Sequence, residues 1–216
     1  MSRSAAKTAI LILVLFFGSP LRAFASDCAS PKPQAWVKNR FVEYWADCSI
    51  NLLSPDGKLT LHIDGENGMS IRQRGMPAVL NVQPKILGDD SNVLWSPTSQ
   101  AFLARDGRGS GQGSLLRVFI RNGNSFTEET AFRKEAIRLY RSQNKCARDA
   151  YDPDVYPMGW SADGKSFYAY IQATTNFPCG HPENFLTVEM DVDSRAITHI
   201  YSPREARRKF PRSQLP

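Results

Sequence analysis

Residues able to perform acid–base or metal chemistry are scarce and scattered along the chain. Its three histidines are His62, His181 and His199. His62 and His199 alternate with apolar residues, as ordinary strand positions do. His181 lies in a proline-rich loop beside a cysteine, but no triad partner or second metal ligand stands at a useful spacing. We therefore expect no metal ion and no other cofactor.

Two pairs of carboxylates could supply an acid and a base if they faced each other across a cleft. The pairs are Asp152 with Asp154 and Asp89 with Asp90, and both stand beside Pro or Gly in segments typical of loops. Residues 107–113 are rich in glycine but join two predicted strands, which favours a connecting loop over a nucleotide site. We assign no catalytic residue. A carboxylate-dependent hydrolase of glycan or peptidoglycan fragments remains the alternative hypothesis.

The four cysteines are Cys28, Cys48, Cys146 and Cys179. None forms the C-x-x-C spacing of a zinc or redox site, and an even count in an exported chain is typical of structural disulfides. Three pairings are possible. Proximity in sequence favours Cys28 with Cys48 and Cys146 with Cys179.

The N-terminal 25 residues have the layout of a cleaved secretory signal. Arg3 and Lys7 precede an apolar run over residues 9–17, and small residues at positions 23 and 25 suit cleavage after Ala25. The apolar run is too short to span a bilayer of about 30 Å. We expect a periplasmic or secreted protein.

The net charge of +6 comes from the two ends of the chain. Arg3, Lys7 and Arg22 lie in the signal, and the segment 204–216 holds five more basic residues in a predicted basic tail. The body between them is nearly neutral. It therefore lacks the basic face that nucleic-acid binding needs, and we expect no nucleic-acid partner. The tail, with Phe210, suggests weak contact with a membrane surface.

Three segments repeat one pattern of strand, tight turn and strand, and they span residues 53–63, 94–104 and 159–170. Each turn opens with Ser, and the first and third contain Asp-Gly, a pair that tolerates positive φ in hairpins. Trp95 and Trp160 precede the serine in the second and third turns. These segments resemble the W-S-P-D-G-K turn of TolB-type β-propeller repeats, and residues 184–200 look like the last two strands of such a blade.

The resemblance implies a mainly β fold, a β-propeller-like stack of about three to four antiparallel blades. The cysteines would staple this stack by disulfides, and one helix is predicted as an insertion. The single domain would span residues 26–203. Three repeats are fewer than the four to eight blades that close a propeller. The N-terminal segment could form a degenerate blade, the insertion and tail could cover the open edges, or a partner could pair with them; the sequence leaves these alternatives open.

A helical insertion is predicted at about residues 125–148. Ser125 and Glu128 have the spacing of a capping box. Apolar residues at helical spacing follow on one face. The other face is basic and carries Arg133, Arg138 and Arg141.

These features favour an exported, non-enzymatic protein that binds a macromolecular partner in the cell envelope, as an inhibitor or immunity-type protein or as an accessory subunit. We expect a protein partner and place its contact on residues 133–148 together with the loop 176–182, which contains Phe177 and His181.

Five aromatic residues outside the repeat positions form either a sugar-stacking or protein-docking surface or a cover for the edge of the sheets. They are Trp36, Tyr44, Trp45, Tyr151 and Tyr156.

Overall fold

A computed structural model describes residues 34–45, 49–65, 67–84, 87–88, 90–107, 114–144, 152–173, 185–211 and 215. Within these ranges the chain has thirteen strands and two helices, which confirms the mainly β class. The predicted signal, the four cysteines, Tyr151, Phe177 and His181 lie outside the described residues. The elements are β1 (Val42–Trp45), β2 (Ile50–Leu53), β3 (Leu59–Asp64), β4 (Gly68–Gln73), β5 (Val79–Gln83), β6 (Asp90–Trp95), β7 (Ala101–Gly107), β8 (Ser114–Asn122), β9 (Ser125–Glu128), α1 (Ala131–Gln143), β10 (Asp154–Trp160), β11 (Ser166–Gln172), β12 (Phe185–Asp191), β13 (Ala196–Tyr201) and α2 (Pro203–Lys209).

Twelve of the strands form three successive four-stranded antiparallel meanders. The first comprises β2–β5, the second β6–β9 and the third β10–β13. The repeats predict blades over Ile50–Val82, Val93–Thr127 and Tyr156–Tyr201, and these bounds agree with the meanders to within three residues. Hairpin chemistry in the turns is local, and for that reason it is visible in the sequence.

The first two meanders merge into one nine-stranded sheet. Strands β5 and β9 pair in parallel, beginning with Asn81 opposite Ser125. Strand β1 pairs with β6, and just upstream of β1 Gln34 forms a parallel bridge with Leu52 in β2. The sheet, in the order β1-β6-β7-β8-β9-β5-β4-β3-β2, is barrel-like and nearly closed. It is not a clear propeller, because backbone hydrogen bonds join the outer strands of two meanders that separate blades would leave unpaired.

The nine-stranded sheet has a core of its own. Trp95 lies edge-on to Phe102 at 5.5 Å and to Phe126 at 5.6 Å, and all three side chains are fully buried. Strand β7 is buried on both faces: Phe102 and Ala104 belong to this first core, whereas Leu103 belongs to a second. The sheet therefore presents an apolar outer surface to the rest of the chain.

The third meander lies between two helices and uses both of its faces. Phe132 of α1 meets Phe167 of β11 edge-on at 5.1 Å in the second core, which β7 and β8 also line. On the opposite face, Ala206 of α2 and Phe210 pack in a third cluster. Because this sheet does not enclose a core, its apolar side chains are buried by packing against neighbouring elements.

Helix α1 begins at Ala131, six residues after the predicted start at Ser125. Residues 125–128 instead form strand β9, because Gly123 adopts φ +58° and turns the chain back along β8. The Ser125 hydroxyl donates to the Asn122 carbonyl and does not cap the helix. Residues 145–148 of the predicted insertion lie outside the described ranges.

Part of the predicted basic tail is helical. Ser202 and Glu205 form a capping box at the start of α2, with Pro203 in the first turn. Ala206 and Phe210 are buried against the third meander. In the described part of the chain, neither helix is long and apolar enough to cross a membrane.

Candidate functional site

Three tight turns share one hydrogen-bond pattern. Ser54, Ser96 and Ser161 each donate from their backbone N–H, over 2.8 Å, to the carbonyl of the residue five positions later. The serine Oγ accepts from the N–H of that same residue at 2.9, 3.1 and 3.0 Å. The fourth residue of each turn has positive φ, of 67°, 61° and 71°; it is Gly in two turns and Ser99 in the second. The three sequence repeats are therefore structurally equivalent hairpins.

The third position of these turns holds a carboxylate twice. The Asp163 carboxylate accepts from Ser161 Oγ at 2.7 Å and from the Lys165 N–H at 3.0 Å, and these hydrogen bonds hold its pKa below the ordinary value. Burial raises the pKa of Asp56, but hydrogen bonds from its own turn and from Ser99 outweigh burial and lower it overall. These aspartates stabilise turns, and nothing about them indicates catalysis.

The two repeat tryptophans occupy equivalent places. Trp95 Nε1 donates to the Leu52 carbonyl at 3.2 Å, and Trp160 Nε1 donates to the Leu94 carbonyl at 3.4 Å. Leu52 and Leu94 stand at the same position of their respective repeats, two residues before the turn serine. Each tryptophan thus joins its repeat to the preceding one.

The N-terminal segment crosses all three meanders. Gln34 pairs with β2, Trp36 Nε1 donates to the Trp95 carbonyl at 3.1 Å, and the Asn39 amide group bonds both the N–H and the carbonyl of Trp160, at 2.9 and 3.3 Å. Gly159 leaves room for Asn39, since a Cβ there would come within 3.0 Å of its amide group. Trp36 therefore covers and joins the sheets, which is the second of the two roles expected for it.

Helix α1 is fixed firmly to the third meander. Phe132, Ala136 and Tyr140 are buried, and the Tyr140 hydroxyl accepts from the Ala173 N–H at 3.0 Å. Burial raises the pKa of Tyr140. One face of the helix is thus anchored over its whole length, and the other faces solvent.

The predicted contact residues on α1 lie on that outer face but in different settings. Arg138 is exposed and bonds Glu135 one turn earlier, with its closer contact at 2.5 Å. Arg141 is half-buried and pairs with Asp152 at 2.8 Å. Arg133 is half-buried and Lys134 is exposed. The structure therefore brings the three predicted arginines together on one helix; the predicted loop 176–182 lies outside the described ranges.

The two carboxylates proposed for hydrolysis, Asp152 and Asp154, differ in their exposure to solvent. Asp152 is exposed and engaged by Arg141, whereas Asp154 is only 6 % exposed. The Tyr156 hydroxyl donates to Asp154 at 3.2 Å. The two aspartates thus have different partners in different environments.

A small cleft opens between the nine-stranded sheet and the third meander, and Tyr156, the hydrogen-bond partner of Asp154, lines it. Its volume is about 210 Å³, room for several water molecules. Two cross-strand pairs line it, Asn92 with Arg105 and Tyr156 with Tyr170. The remaining lining residues are Phe41, Pro157, Met158 and Leu215.

The polar side of this cleft is a stack of three side chains. Tyr156 and Tyr170 are parallel with ring centres 4.5 Å apart, and the Arg105 guanidinium lies 5.1 Å from the centre of the Tyr156 ring. Burial first, and then the neighbouring Tyr156, raises the pKa of Tyr170, so its hydroxyl remains protonated. Of these three side chains, only Tyr156 was predicted from the sequence to form part of a surface. The aromatic pairing of β10 with β11 was the signal that could have revealed Tyr170.

A buried ion cluster lies at one end of the first core. Arg117 contacts Asp106 at 2.9 Å and Glu128 at 3.0 Å, and Asp106 also accepts from the Gly88 N–H at 2.8 Å. Arg117 and Asp106 are each less than a tenth exposed. The cluster spans strands β7, β8 and β9, and no spacing rule in the sequence indicates it.

The described histidines have structural partners. A ring nitrogen of His62 lies 3.0 Å from the Asn51 side-chain oxygen, and the His199 ring lies edge-on to Tyr201 at 4.3 Å. Tyr44 is buried in the first core. Among the described residues, no group of three His, Cys, Asp or Glu side chains could hold a metal ion.

Comparison with known proteins adds no family assignment. No protein-family model matches the chain, and no curated protein sequence is significantly similar to it.

Proposed function

We propose that this is an exported, non-enzymatic protein of the cell envelope that binds a macromolecular partner, in the manner of an inhibitor, an immunity-type protein or an accessory subunit. We further propose that its three meanders are TolB-type repeats, two of them merged into one sheet, with α1 inserted after the second repeat. The equivalent hydrogen bonds of the three serine turns and of Trp95 and Trp160 support the repeat assignment.

The observation that carries the binding proposal is the packing of α1 against the third meander. Its buried face is fixed by Phe132, Ala136 and Tyr140, so the helix loses little conformational freedom when it binds. Its solvent face displays Lys134 and Arg138 from a rigid element. Fixed exposed cations of this kind steer an acidic protein surface and set its orientation.

The test is charge reversal on this face. The variant Lys134→Glu with Arg138→Glu should lower capture of the partner from envelope extract about tenfold or more, with the melting temperature unchanged. Arg141 is left intact because it holds Asp152.

The matched control is Arg204→Glu with Arg207→Glu, which reverses two exposed cations on α2. The control should capture the same partner as the wild type. Capture that survives in the α1 variant, or that fails only in the α2 variant, would remove α1 as the contact surface.

One observation favours the alternative, a hydrolase of glycan or peptidoglycan fragments. Asp154 is a buried carboxylate bonded to Tyr156, and Tyr156 lines the 210 Å³ cleft where a sugar ring would meet Arg105 and Asn92. Asp154→Asn should then abolish turnover of an envelope polymer while the fold is retained, and Asp152→Asn serves as the exposed control. If the wild type shows no turnover on any envelope polymer, the alternative is excluded.

A further inference from the structure

The β4–β5 hairpin ends in an exposed apolar loop. Met76 and Val79 are 57 % and 53 % exposed, and the intervening Pro77 and Ala78 are exposed as well. Gly75, with φ +76°, turns the chain at the end of β4. In the described part of the chain four large apolar side chains are exposed, and two of the four belong to this hairpin: Met76 in the loop and Val79 at the start of β5.

The base of the loop is cationic. Arg72 and Arg74 are exposed, and Arg72 stands directly opposite Val79 in the hairpin. The Arg74 N–H donates to the Lys58 carbonyl at 2.8 Å, which places a third exposed cation alongside. Residues 71–83 contain no Asp or Glu. The nearest acid in sequence to Lys58 is Asp56, whose carboxylate is bonded within its own turn.

We infer that the β4–β5 hairpin is a docking site for an anionic lipid surface. An apolar tip enters the boundary between head groups and acyl chains, while cations at its base meet the head-group phosphates. Binding strength rises with the apolar area that enters the interface and with electrostatic attraction to anionic lipids, and this hairpin supplies both. An acidic protein surface would use the arginines but would not need Met76 and Val79 to protrude into solvent.

The C-terminal segment is less suited to the same task. Phe210 is only 8 % exposed and lies edge-on to Tyr168 and Tyr201 at 5.1 and 5.7 Å. The Lys209 ammonium lies 4.4 Å from the centre of the Tyr168 ring and bonds the Tyr201 hydroxyl. The apolar residue and one cation of this segment are therefore already engaged by the third meander.

The test is co-sedimentation of the mature chain with vesicles of phosphatidylcholine and phosphatidylglycerol in equal amounts, and with vesicles of phosphatidylcholine alone. The wild type should bind the mixed vesicles, and added salt should weaken binding. Arg72→Gln with Arg74→Gln should lower the partition coefficient about 25-fold, at roughly fivefold per cation. Met76→Ser with Val79→Ser should lower it several-fold.

Two controls match these variants. Val37→Ser with Ile200→Ser removes two comparably exposed apolar side chains from other elements, and Arg207→Gln with Arg208→Gln removes two exposed cations from α2. Both should bind like the wild type. The inference is overturned if the wild type ignores mixed vesicles or if the α2 variant is the one that detaches. It is also overturned if only the arginine pair matters, because the apolar side chains then do not enter the bilayer.

Discussion

The nine-stranded sheet and the third meander bury their apolar side chains in different ways. The nine-stranded sheet encloses Trp95, Phe102 and Phe126 and ties its own ends together through the bridge between Gln34 and Leu52. The third meander encloses nothing and relies on β7, β8, α1 and α2 to cover its faces. The first region is thus self-sufficient, and the second depends on its neighbours. The α1 surface belongs to the dependent region and the apolar hairpin to the self-sufficient one, whereas the cleft lies between the two.

The largest effect should come from the ion cluster inside the nine-stranded sheet. Arg117→Ala leaves Asp106 and Glu128 buried without their cation, so the free energy of unfolding should fall by about 3–5 kcal/mol. Arg138→Ala breaks an exposed pair and should leave stability nearly unchanged. Urea unfolding followed by circular dichroism measures both. Equal losses would mean that the interior cluster is no more important than a surface pair.

A somewhat smaller effect should show how far the third meander depends on α1. Phe132→Ala removes a fully buried ring from the second core and should cost about 3 kcal/mol. Hydrogen exchange should accelerate in α1 and β11 while β3 and β4 keep their protection. Uniform acceleration across all strands would contradict the division into two regions and indicate one cooperative unit.

The hydrogen bonds that Trp95 and Trp160 make to the preceding repeat should contribute less to the free energy of unfolding. The two contributions should be equal. Trp95→Phe and Trp160→Phe leave the Leu52 and Leu94 carbonyls without their indole donors, at about 1–2 kcal/mol each. Thermal unfolding of both variants gives the comparison. A loss at only one site would show that the two junctions are not equivalent.

The smallest effect is a pH dependence in the third turn. The pKa of Asp163 lies below its ordinary value in the folded state. The ionised carboxylate therefore stabilises the folded state at pH values above the unfolded pKa. This contribution disappears as the pH falls through the folded pKa. The stability advantage of the wild type over Asp163→Asn should therefore be full at neutral pH and should shrink below about pH 4. The corresponding Thr98→Ala comparison in the second turn should show no such trend, because no carboxylate stands there.

The features that could be predicted from the sequence are set by interactions between residues close together in the chain. Ser-Pro and Asp-Gly set each turn within a few residues, so the hairpins and the extents of the meanders were predictable. The capping signature at Ser125 was misleading, because Gly123 had already turned the chain into a hairpin. The same signature at Ser202 and Glu205 does begin a helix. The basic composition of this segment had led to the prediction of a tail.

Long-range pairings explain what the sequence did not reveal. The parallel pairing of β5 with β9 and the placement of β1 beside β6 depend on how whole meanders meet, and no short pattern encodes them. The cleft has the same origin, since Arg105 and Tyr170 come from different sheets. The basic face of α1 was predictable because helical spacing is local, but the pairing of Arg141 with Asp152 was not.

The bond between Asn39 and Trp160 has a consequence for the order of folding. It joins residues 121 positions apart, so a segment that leaves the ribosome early cannot settle until the start of the third meander has followed. Residues near the beginning of the chain are thus among the last to reach their final places. Gln34, by contrast, can pair with Leu52 as soon as β2 has formed, so this short segment is completed in two separate stages.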